Sequence, residues 1–212
     1  MNKTVTAVLA ISALAVNVAG ATSNNTVGGT DNTISTNSTS SAVWGFQNNI
    51  DANNALAFGT NNSVTGENGF AGGNNATAAG RNSFAFGSHA ESLVEYTIAI
   101  GNQARTASYD SIAIGNGAFV SGESSVAFGR SNNVTGENSV AIGANNGTVA
   151  GGQSAVVGYN NKIGSQKEQL VFGSNSEANG QGADYVAEAR DAQSRISKLE
   201  ALVAKLMAEV EK

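Results

Sequence analysis

Cysteine and proline are both absent from these 212 residues, histidine occurs once, and charged residues make up only 13%. Each shortage excludes something. Without cysteine there are neither disulfides nor thiolate chemistry. With His89 as the single histidine, His-based triads and His-rich metal sites are not expected. The net charge of −5 argues against nucleic acid, which calls for clustered Lys and Arg. Asp31, Asp51 and Asp110 are scattered, unlike the regular aspartates of calcium-binding nonapeptide repeats. No glycine sits in a strand-to-helix phosphate motif. No catalytic residue, metal or cofactor is therefore expected, and the chain reads as a non-enzyme.

What is present begins with a targeting segment. Lys3 precedes the apolar run "VTAVLAISALAV", and Ala19-Gly20-Ala21 fits the small-x-small cleavage rule. The run is too short to span a bilayer. Residues 1–21 read as a secretory signal peptide cut after Ala21.

Beyond it the chain repeats. Gly45, Gly59, Gly73, Gly87, Gly101, Gly115, Gly129 and Gly143 are spaced by fourteen, and Gly158 and Gly173 follow at fifteen. Before most of them stands an apolar trio with Ala at its centre, as in "ALAFG", "SFAFG", "TIAIG" and "SVAIG". A second glycine, at Gly66, Gly80, Gly122 and Gly136, follows a lone Val or Ala. Each unit is then two short strands and two tight turns. Fourteen residues cannot bury a core alone, but stacked coils can, each pairing its backbone with the next at about 4.8 Å. Asn pairs such as Asn61-Asn62 and Asn145-Asn146 suit the turns, because Asn tolerates left-handed backbone and stacked amides form ladders. The pattern predicts a parallel β-solenoid of about ten coils, roughly 45–50 Å long by that spacing.

Alternation assigns the two faces of the trio. Val140 and Ile142 share one face, and this reading places them inside, with Phe86, Ile100, Ile114 and Phe128 in the same interior column and Trp44 at its open end. Ala57, Ala71, Ala85, Ala99, Ala113, Ala127 and Ala141 then point outward as a strip of methyls. Strands apolar on both faces are usually covered on both, so the Ala strip is expected to be a subunit interface.

After Gly182 the composition changes. Tyr185, Ala189, Ala192, Ile196, Leu199, Val203, Leu206 and Val210 alternate by four and three, the heptad pattern of a coiled coil. Ile196, Leu199, Val203 and Leu206 are expected at its seam. Such a seam does not by itself fix the number of strands.

The signal peptide, the fourteen-residue "SVAIG…VTGEN" repeats over roughly residues 25–175 and the C-terminal heptads together resemble a trimeric autotransporter adhesin with a YadA-like head. The resemblance implies a head over 22–178 built as a left-handed parallel β-roll, homotrimeric, with a short connector over 179–184 and an α-helical coiled-coil stalk over 185–212. It also implies export across the inner membrane to the surface of a Gram-negative bacterium. The implied partner is a host cell-surface receptor, such as an immunoglobulin-like adhesion molecule, or an extracellular matrix protein. The alternating ten-residue strands of a β-barrel anchor are not found among these residues, and "ANGQGADYVAEARDAQ" departs from the family's usual neck.

A ligand patch is expected where the turns depart from consensus, between Gly87 and Gly129. Glu91, Arg105 and Phe119 each fall four residues after a glycine and should stack on neighbouring coils; Tyr96 and Tyr109 should lie on a nearby edge. Tyr and Arg are enriched among residues that dominate interfaces. The competing readings are a Glu91–Arg105 pair across coils and packing of Tyr96 or Phe119 on a neighbouring subunit. For the whole chain the alternative to adhesion is a spacer rod without a ligand of its own. Ice binding lacks its flat Thr-x-Thr ranks, since Thr65, Thr77, Thr106 and Thr135 occupy varied slots.

Overall fold

A computed structural model of the chain describes residues 17–18, 24–175, 177–178 and 185–210. Within the expected signal peptide only Asn17–Val18 are described, as a strand parallel to Thr33–Ile34. The expected connector, 179–184, lies outside the described residues.

Each repeat gives one strand of three to five residues, such as Leu56–Thr60 or Ile98–Ile100, and one of two residues, such as Ser63–Val64. The longer strands form one parallel sheet of eleven strands, taken strictly in chain order, and the two-residue strands form a second of twelve. Register follows the repeat: Phe84 pairs with Ile98, Ala85 with Ala99 and Phe86 with Ile100. The two fifteen-residue repeats absorb their extra residue in turns, so Ala141 still stacks on Val156 and Val156 on Val171. The repeats form an all-β parallel solenoid of about eleven turns, as the glycine ladder predicts.

The faces of the long strand are the reverse of those expected. Ala57, Ala71, Ala85, Ala99, Ala113, Ala127 and Ala141 are all 0% exposed and line the interior. Facing them from the short strands are Ile50, Val64, Val120, Val134 and Val149, also fully buried. One branched aliphatic per coil already fills so narrow a tube, and the opposite strand can add little more than a methyl. Only toward the ends do Val43, Val156 and Val171 take the Ala slot. Trp44, Phe86, Phe128 and Ile142 therefore project outward and are exposed, and Ile100 and Ile114 share that face half-buried.

The turns follow from backbone chemistry. Gly59 has φ +120°, and a Cβ there would collide with the carbonyl of Gly73 in the next coil. Within an Asn pair the two amides differ in role. Asn61 and Asn145 take left-handed φ near 54° and face solvent, whereas Asn62 and Asn146 point inward and are buried. The Asn62 Nδ2 donates to Asn48 Oδ1 at 2.9 Å and the Asn62 backbone N–H donates to the same oxygen at 2.9 Å. Asn48 treats Asn32 in the same way, and Asn161 treats Asn146 so, which builds two amide ladders along the rod.

The helix runs Tyr185–Val210. Ile196, Leu199 and Val203 are exposed along it, as are Leu202 and Met207; for Leu206 only its place in the helix is described. No described helix is long and apolar enough to cross a membrane.

Candidate interaction surfaces

Two surfaces stand out from the uniform Asn, Ser and Thr of the rod. The first is the outer face of the long sheet. Phe58 is 58% exposed and Phe128 53%, with Trp44, Phe86, Ile142 and Phe172 in the same column. Beside it runs a second, half-buried column that includes Leu56, Phe70, Phe84, Ile98, Ile112 and Val126. Rings close over the small positions. Phe70 and Phe84 stack with centroids 4.6 Å apart, and a Cβ at Gly72 would meet Phe86 Cδ2 at 2.8 Å. The Trp44 indole lies over Gly28 in the same way. A contiguous face of this kind is unusual on an isolated soluble rod.

The second surface spans the coils between Gly87 and Gly129. Glu91, Arg105 and Phe119 stack in register on the outer face of the short sheet, as their spacing predicts. Arg105 Nε donates to Glu91 Oε2 at 2.8 Å, and its guanidinium sits 5.6 Å from the Phe119 ring centroid. These three side chains thus partner one another, and Arg105 shields Phe119 from water.

Tyr96 and Tyr109 lie elsewhere, on the turn edge, about half exposed. Tyr96 has φ +60°, in a column of left-handed residues that holds Asn54, Asn68 and Asn82 in the coils before it and Asp110 in the next. The Arg81 guanidinium lies 5.6 Å from the Tyr96 ring centroid and pairs with Glu95 at 2.9 Å. The hydrogen bond that Arg81 donates to Glu95, the Glu95 charge and then Tyr96 raise the Arg81 pKa above its ordinary value. The five expected patch residues therefore form two groups on different surfaces.

The Ala strip expected to be the interface is instead core, and the exposed aromatic column takes its place as the unusual face. A signal for this was present in the sequence: the lone Val of the second strand already supplies the interior. Arg81 and Glu95 were also missed. They are fourteen residues apart, hence stacked, and one residue precedes Tyr96.

A family model described as the YadA head domain repeat, two copies to a match, fits residues 51–76, 65–90, 95–118 and 121–146. The matched stretches include Phe58, Phe86 and Phe128 of the first surface and Tyr96, Arg105 and Tyr109 of the second. No curated protein matches the chain.

Proposed function

We propose, from the YadA-like head that this chain carries, that it is the head and a stalk segment of a homotrimeric bacterial surface adhesin that attaches to a host cell-surface receptor or matrix protein. The observation that carries this reading is the run of in-register YadA head repeats. Heads of this family are adhesin-type, surface-exposed and typical of non-enzymatic proteins.

Three copies pack through the outer face of the long sheet, where Phe58, Phe86 and Phe128 are otherwise wet. A strand apolar on both faces is usually covered on both, here with Ala toward the core and the aromatics toward the neighbouring copies. The exposed Ile196, Leu199 and Val203 extend the same symmetry as a coiled coil below the head. Ligand contact falls to Tyr96 and Tyr109, with Glu91, Arg105 and Phe119 on the adjoining face, and three copies multiply a modest affinity.

Light scattering on the purified chain should give a trimer mass, and Phe128→Asp should reduce it to monomer with the coil interior intact. Binding of the trimer to host cells or immobilised matrix proteins then separates adhesin from spacer. A folded monomer would overturn the assembly, and a trimer that binds neither surface would favour the spacer rod.

A further inference from the structure

The interior of the rod changes character at its middle. The aliphatic column from the short strands reads Ile50, Val64 and Ala78, then Ser92 and Thr106, then Val120 and Val134. Ser92 and Thr106 are both 0% exposed. Ser92 Oγ lies 2.7 Å from Thr97 Oγ1, which donates to the Val94 carbonyl at 2.6 Å; the Thr106 hydroxyl makes only a long contact of 3.4 Å to the Glu91 carbonyl. The buried apolar side chains form two clusters, one ending at Ala90 and the other starting at Ala113, with only the methyls of Ala99 and Ala104 buried between them.

The amide ladder fails over the same stretch. Asn62 and Asn132 are its last and first inward amides, and the four coils between them have Ala at that slot. There the Ala104 and Ala118 backbone N–H groups reach only the carbonyls of Gly101 and Gly115 in their own turns, at 3.4 Å. In a solenoid, stability is close to a sum of terms between neighbouring coils, so a run of weak junctions marks where the array parts first. The outside of these junctions is reinforced: Arg81–Glu95 and Glu91–Arg105 each join successive coils, and both guanidiniums rest over rings.

We infer that the coils from Ser92 to Thr106 form a seam between two cooperative folding blocks, held more from the outside than from within. The seam opens without unfolding the blocks on either side. The small net worth of exposed ion pairs means that the outer braces only partly offset the loss of interior contacts.

Hydrogen exchange on the assembled chain tests this directly. Amides of 98–100, 105–106 and 112–114 should exchange at least about tenfold faster than those of 56–58 and 140–142, since one missing aliphatic contact per junction corresponds to a factor of that order. Thr106→Val, which keeps the shape and removes the poorly bonded buried hydroxyl, should slow exchange in the seam about three- to tenfold and leave 56–58 unchanged. Arg81→Ala with Arg105→Ala should speed exchange in the seam alone. Protection in the unmutated seam equal to or greater than in both flanks would overturn the inference, as would a Thr106→Val effect spread evenly over all coils. Neither readout depends on a ligand, so the adhesive reading can fail while the seam stands.

Discussion

The flanking coils and the central coils share one fold and one register but are stabilised by different means. In the flanks, most coils pack a Val or Ile against a small residue inside, and inward Asn residues tie several of them to the next coil. In the centre, hydroxyls replace the aliphatics, Ala replaces the Asn, and long charged and aromatic side chains span the coils outside. Interior packing and satisfied buried amides are large terms, whereas exposed ion pairs are small ones. The comparison teaches that fourteen-residue phase does not need the interior consensus. Backbone pairing and the two left-handed turn columns keep the register where the consensus side chains lapse.

The largest expected effect comes from a charge placed inside one flank. Val134→Asp would bury a carboxylate among Val120, Val149 and Ala127, all fully buried, at a cost of several kcal/mol. Exchange protection should vanish over 113–171 while 34–90 stays protected. Simultaneous loss in both regions would mean that the head is one cooperative unit and that the contrast between its regions has no thermodynamic weight.

Next in size is the amide ladder. Asn62→Ala removes donors to the Asn48 amide oxygen and the Gly73 carbonyl and leaves the Ala76 N–H without its acceptor. Leaving buried groups unpaired costs about 1–3 kcal/mol per chain. Asn116→Ala in the centre loses one exposed bond to Asn102, 3.2 Å long, and should cost less than about 0.5 kcal/mol. Thermal melts of the two variants give the difference; equal shifts would remove the ladder as the distinction between regions.

Much of this was legible from spacing alone. The glycine period gave the solenoid, its register and the stacking of Glu91, Arg105 and Phe119, because in a solenoid position in the repeat is position in space. Heptads gave the helix over Tyr185–Val210. The faces of the trio were not legible from alternation, which separates two faces without saying which is inside. Size decides that, and only when both strands of a coil are weighed together: Val64 and Ala57 fill one interior, while Val64 and Phe58 would overfill it. The seam was hidden for a related reason, since Ser92 and Thr106 look like ordinary surface residues until the coil places them opposite Ala85 and Ala99.

Smaller again is the effect of the outer braces. Arg105→Ala removes the pair with Glu91 and uncovers Phe119, together about 0.5–1.5 kcal/mol at most for groups this exposed. The loss should shrink at high salt by the ion-pair share and persist in the cation–π share. A melt shift as large as that of Asn62→Ala would show the centre to be braced as firmly as the flanks are packed.

The smallest change in stability is expected at Tyr96, where two terms oppose each other. A bulky side chain at φ +60° is disfavoured relative to Asn by roughly 1 kcal/mol, and Asn54, Asn68 and Asn82 show which residue the turn column prefers. Against this stands the Arg81 guanidinium over the Tyr96 ring, a weak attraction at so exposed a site. Tyr96→Asn should therefore leave the melting temperature nearly unchanged. The backbone alone gives no reason for Tyr at this turn, so its presence points to the ring rather than the fold. Paired with Tyr109→Ala, the substitution should abolish attachment to host cells while the trimer mass and the melt hold. Full attachment by the double variant would confine both tyrosines to the rod's own structure and remove them from the ligand contact.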